Sequence, residues 1–204
     1  MVEAHRQVTD PRVSRAKFER EIREFRRLAG SYRERGWFLA EATFPVVVAV
    51  LAAHQVKPSS LVLGVRFDYA DYDFRPPSVQ IVDPFTAVPY ATRDLPTNLP
   101  RAVPGAPGQI AGVPEGFPVT RVAQPLLQSY GPEEVPFLCI PGVREYHDHP
   151  GHSGDAWELH RRSGAGRLVR LLEVIDRYGT APITGYNVQL QVKITGFQAA
   201  EAPE

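Results

Sequence analysis

The chain predicts an α+β domain: an antiparallel sheet meander with an N-terminal helix, a second helix after a Cys/His-rich segment, and an extra C-terminal strand. Three observations carry this. A helix-periodic segment opens the sequence, aromatic and β-branched runs follow it, and a second helical period comes only after a long irregular crossover. At 204 residues the chain is long enough to bury one core, and a single domain over 1–204 suffices.

Between Ser14 and Arg35, Phe18, Ile22, Phe25, Ala29 and Tyr32 recur at steps of four and three, which places them on one helix face, and Gly36 ends the helix. Trp37 to Ala53, Leu61 to Tyr69 and Val79 to Val82 are rich in aromatic and β-branched residues and read as strands of one antiparallel sheet. Between the last two lies Tyr72-Asp73-Phe74-Arg75-Pro76-Pro77. Its consecutive prolines cannot donate to a ladder, so it reads as a rigid extended connector. Residues 84–120 are so dense in Pro and Gly that they read as an insertion or surface loop. Phe137 to Ile140 is a short apolar run leading into the Cys/His segment, which reads as loop. Leu168, Leu171, Leu172 and Ile175 keep helical spacing, and Tyr186 to Ile194 alternates as a half-buried strand does.

Composition narrows the function classes. The 23 basic and 23 acidic residues cancel, which removes the electrostatic footprint of a dedicated nucleic-acid binder. The longest apolar run, Phe44 to Ala53, is too short to span a bilayer and contains Pro45, so no membrane segment is expected. One cysteine cannot form an internal disulfide and no leader pattern opens the chain, so a cytoplasmic protein is expected. GxGxxG and GxxxxGK[ST] phosphate loops are absent.

The chemistry concentrates in Cys139 to His160, CIPGVREYHDHPGHSGDAWELH, which holds the sole cysteine and four of the six histidines. Thiolate and imidazole bind soft divalent metals and do covalent chemistry near neutral pH. As ligands, Cys139, Glu145, His147, His149 and His152 supply the S, N and O donors of a zinc site. His147 and His149 would point the same way in an extended strand, and Pro150-Gly151 would turn His152 back towards them. Asp148 or Asp155 would serve as outer partner to an imidazole. As a nucleophile, Cys139 would be activated by His147 or His149, with Glu145 or Asp155 as base. A closed four-ligand site would quench that nucleophile. An open three-ligand site would instead point to hydrolysis, with Glu145 as base. Trp157 reads as core or a wall of the site, Tyr146 as packing or substrate positioning, and His160 as a surface or capping residue.

The order of these features resembles the ubiquitin-conjugating enzyme fold: an amphipathic first helix, a strand meander, a Tyr-x-Phe-Arg-Pro-Pro-x-Val step (Tyr72 to Val79), a Phe-Leu-Cys-Ile segment ending at Ile140, and an Asp-x-Trp (Asp155 to Trp157) before a Leu-rich helix. The segment C-x5-E-Y-H-x-H-P-x-H-S-G-D-x-W is similar to a bacterial group predicted to bind metal, the CEHH domain, associated with ubiquitin-like conjugation genes. The resemblance implies a transferase in which Cys139 carries a ubiquitin-like protein as a thioester, with that modifier and an activating enzyme as partners. It also implies that the basic face of the first helix (Arg15, Arg20, Arg23, Arg26, Arg27) docks the activating enzyme, where composition alone gives a solvated surface. The sequence departs from the family pattern in lacking a His-Pro-Asn motif before Cys139; Asn98, in Thr-Asn-Leu-Pro, is a poor match. A zinc-stapled adaptor and a small zinc hydrolase of the same pathway are the alternative expectations.

Overall fold

The computed structural model describes residues 8–104, 121–185 and 187. It is an α+β domain whose four-stranded antiparallel sheet runs in sequence order, with an N-terminal helix and helices after the Cys/His segment. The strand expected at 186–194 falls, apart from Asn187, outside the described residues. Among them no helix is long and apolar enough to cross a membrane.

Helix α1 (Pro11–Arg27) starts where the chain supplies a cap: the Asp10 carboxylate accepts the Arg12 N–H at 2.9 Å, and Pro11 follows with no N–H to satisfy. It buries Phe18, Ile22 and Phe25, the face that the periodicity predicts. The helix then breaks at Leu28, and a short α2 (Ala29–Glu34) follows, where the sequence predicts one continuous helix. The break seats Tyr32 between Phe25 and the Trp37 ring, stacked on the latter at 5.2 Å. Aromatic packing thus outweighs the continuation of one helical axis. Gly36 ends the helix at a φ of +80°, with room for no side chain, because a Cβ there would lie 2.6 Å from the Ala52 carbonyl.

Strands β1 (Trp37–Thr43), β2 (Val46–Ala53), β3 (Ser60–Asp68) and β4 (Ser78–Val82) pair in turn, Val47 opposite Phe67 and Val65 opposite Ile81. Val47, Ala49, Leu51, Leu63, Val65, Phe67, Val79 and Ile81 join the α1 residues in the core. The proline-rich crossover is more structured than expected. β5 (Pro100–Pro104) pairs with β6 (Arg121–Pro125), and Leu99 is fully buried in the main core. Then β7 (Leu127–Gln128) pairs with β8 (Phe137–Leu138), delivering Cys139 directly after a strand.

The Cys/His segment, predicted as loop, folds into α3 (Arg144–Asp148), a 3-10 turn over Pro150–His152, and α4 (Trp157–Arg161). Helices of five residues are too short to be stable alone, so tertiary contacts hold them and no periodic pattern announces them. Helix α5 (Leu168–Ile175) buries Leu168, Leu171, Leu172 and Ile175 as predicted. Its first N–H, from Leu168, donates to the buried Glu21 carboxylate of α1 at 3.3 Å, which places negative charge at a helix N-terminus.

Two side chains lock the segment to the connector. Arg144, only 5% exposed, donates to the carbonyls of Ala70 (2.6 Å) and Pro76 (3.2 Å), and its backbone N–H donates to Pro77 O at 2.9 Å. Trp157 Nε1 donates to Asp73 O at 2.9 Å. Replacing Arg144 with Met strips two buried carbonyls of their donors and should lower urea stability by at least about 2 kcal/mol. Arg144→Lys should recover only part, since one ammonium cannot reproduce the planar fork.

Candidate functional site

Cys139 follows β8, and its N–H donates to Leu126 O at 2.8 Å, so the thiol position is fixed from the backbone. The half-buried Sγ lies 3.4 Å from Nε2 of His152. Burial pushes the thiol above its ordinary value, and the positive charge of Arg101 opposes that shift. A thiol held protonated in this way needs a base to become a nucleophile, and His152 is the base within reach.

The His152 ring is itself positioned. It stacks on Tyr146 with centroids 4.0 Å apart, and the Tyr146 hydroxyl donates to Asp155 Oδ2 at 2.6 Å. The other oxygen of Asp155 meets His160 Nε2 at 2.5 Å. The two bonds, Tyr146 first, hold the Asp155 carboxyl below its usual range, while burial and Asp155 push the Tyr146 phenol up to about 12. His160, expected at the surface, therefore belongs to this strut.

The remaining predicted residues are placed differently. His147 Nε2 accepts the Gly142 N–H at 3.3 Å, and its Nδ1 donates to the Asp155 carbonyl at 2.8 Å. One neutral tautomer satisfies both bonds, so this imidazole clips the two ends of the segment together. Gly142 itself packs against Ala165: its φ is +101°, and a Cβ would lie 2.4 Å from the Ala165 carbonyl oxygen. His149 Nδ1 accepts the Gly151 N–H at 3.0 Å, and the ring stacks on Phe137 at 5.2 Å. Asp148 pairs with Arg75 at 2.7 Å.

Glu145 turns to the sheet, where its oxygens accept from Ser78 Oγ and from the Val79 N–H at 3.3 Å. The arrangement thus brings Cys139 and His152 together, with Tyr146, Asp155 and His160 behind them. Among the described residues no three His, Cys, Asp or Glu side chains converge as a ligand set. Of the side chains expected to bind zinc, Cys139 meets His152, while His147 is held by Gly142 and Asp155 and Glu145 by Ser78 and Val79. Sequence reasoning missed Arg101 and Arg144, because an arginine in a Pro-rich stretch carries no sign of the thiol or carbonyls it will face.

This geometry sits within a span that matches a family. Residues 9–183 match the Y4jH-like family model, described as the Y4jH family. The chain belongs to the Y4jH family. A curated relative, the "Uncharacterized protein y4jH" of Sinorhizobium fredii (strain NBRC 101917 / NGR234), is 45% identical over 194 residues, covering 94% of each chain. The span that defines the Y4jH family takes in α1, the sheet, Cys139 and the whole Tyr146–Asp155–His160 strut.

Glu145 yields a pH prediction. Burial outweighs its hydrogen bonds and pushes its carboxyl above the ordinary value, so the folded state keeps this proton to higher pH than the unfolded chain does. Its ionisation therefore lowers stability as pH rises from the ordinary carboxyl value, about 4.3, through the raised one. Glu145→Gln, whose amide can satisfy Ser78 and Val79, should match wild type in acid and exceed it near neutrality in urea midpoints measured across pH.

Proposed function

We propose that this protein is an acyl-transfer enzyme of the ubiquitin-conjugating type, with Cys139 as the residue that carries a ubiquitin-like protein. The observation that carries the reading is the 3.4 Å approach of Cys139 Sγ to His152 Nε2. It is supported by the order of elements, in which α1 and the short α2, a four-stranded meander and a cysteine directly after a strand precede the remaining helices. That order is the one the resemblance implies.

In this reading His152 takes the thiol proton, and Cys139 sulfur attacks the carbonyl carbon of the modifier's C-terminus, held as a thioester by an activating enzyme. The carrier sulfur of that enzyme leaves as thiolate. An acceptor amine then attacks the new thioester, an amide forms, the Cys139 thiolate departs, and the proton lost by the amine balances the one returned to sulfur. Arg101, whose positive charge opposes the effect of burial on the thiol, would likewise oppose negative charge on the tetrahedral oxygen. The backbone N–H groups of Cys139 and Ile140 donate to Leu126 O and Leu138 O.

The test supplies ATP, an activating enzyme and a ubiquitin-like protein from the same organism, then separates products with and without reductant. Wild type should form a reductant-sensitive adduct. Cys139→Ser should give none, or a reductant-stable ester, and His152→Ala should slow formation by about 10²–10⁴-fold. Unchanged rates in the His152 variant would remove its role as base. Stoichiometric zinc, lost together with folding in the Cys139 variant, would favour the adaptor.

A further inference from the structure

A second feature adjoins Cys139 and shares Arg101 and His160 with its surroundings. A cleft of about 620 Å³ opens between the residues that follow the cysteine and the outer face of α5, lined by Ile140, Pro141, Arg101, Arg170, Glu173 and Arg177. Its volume lies within the roughly 300–1,000 Å³ of small-ligand sites. Leu126, Leu171 and Val174 give it apolar walls, while Ser163 and Tyr178 contribute polar groups.

Its charge is unbalanced. Three guanidinium groups face one carboxylate, that of Glu173, and Arg170 Nη1 lies 3.8 Å from it. Neither Arg101 nor Arg177 has a carboxylate partner among the described residues. Arg35 is the contrasting case, since it pairs with Asp176 at 3.2 Å one position before Arg177. The fold thus neutralises an arginine on one side of this turn and leaves another facing a walled cleft. Guanidinium groups converging on a concave, partly apolar wall bind phosphate or carboxylate oxygens through paired N–H donors. Field lines between low-dielectric walls concentrate that attraction.

We propose that this cleft binds an anionic small molecule, an organic phosphate or a polycarboxylate, through Arg101, Arg170 and Arg177. The ligand would rest its apolar part against Leu171 and Val174 and reach towards the Cys139 end of the cleft. All three arginines are exposed, so replacing them with glutamine removes charge without opening the core.

The experiment uses full-length Cys139→Ser protein, so the outcome does not depend on any thioester. Tripolyphosphate and citrate are titrated by calorimetry in physiological salt, with trehalose as a neutral control. At least one anion should bind more tightly than about 1 mM, and Arg170→Gln/Arg177→Gln should weaken it by about tenfold or more. Arg12→Gln/Arg33→Gln, a pair outside the cleft, should leave binding unchanged. The preferred anion distinguishes a phosphate ligand from a carboxylate one. Binding of neither anion, or equal weakening by both double variants, would overturn the proposal.

Discussion

The structure depends on burying one arginine. Among the described residues Arg144 forms no ion pair with a carboxylate and instead serves two main-chain carbonyls, those of Ala70 and Pro76, which the Pro-rich connector cannot satisfy within a sheet. Burial pulls its guanidinium below its ordinary value, yet the charge is retained because carbonyl dipoles replace lost water. The consequence is positional. Arg144 opens α3, so the carbonyl acceptors that hold it also set the start of the helix carrying Tyr146 and His147.

From that anchor the segment closes on itself through short polar links. His147 joins Gly142 to Asp155, Asp155 joins Tyr146 to His160, and Trp157 returns to the connector at Asp73. Three imidazole nitrogens, both of His147 and Nδ1 of His149, are thereby engaged in holding backbone, as expected where short helices lack stability of their own. His152 is the exception that matters, since its ring is gripped by stacking and its Nε2 faces sulfur. Under the proposed function, a ring held by its face with its edge turned to the sulfur would serve as the base for a thiol that burial keeps neutral.

Charge is distributed with similar economy. The equal totals of acid and base conceal a local surplus of arginine beside Cys139, where Arg101, Arg170 and Arg177 share one cleft. Overall neutrality argues against a broad polyanion-binding surface, whereas three guanidinium groups in a confined cleft suit a small anion.

The sequence alone was enough for the α+β class, the face of α1, three strand-forming runs and the Leu-rich α5, because the helices are written as apolar residues at helical period and the runs as aromatic and β-branched residues. That Trp37–Ala53 turns at Phe44-Pro45 into β1 and β2 emerged only in the structure. It also singled out the Cys/His segment, since a lone thiol among four imidazoles is a compositional fact. It did not reveal the break at Leu28, the five-residue helices or the strands in the crossover, which lack length for any period to emerge. It pointed to His147 or His149 as the imidazole that would activate the thiol, whereas the ring beside the sulfur is that of His152. Which imidazole meets the sulfur is decided by which ring stacks on Tyr146, which is tied to Asp155 and Gly142, and which caps its own turn. Those are contacts across a folded surface, and residues a few positions apart are chemically equivalent until the backbone turns them in different directions.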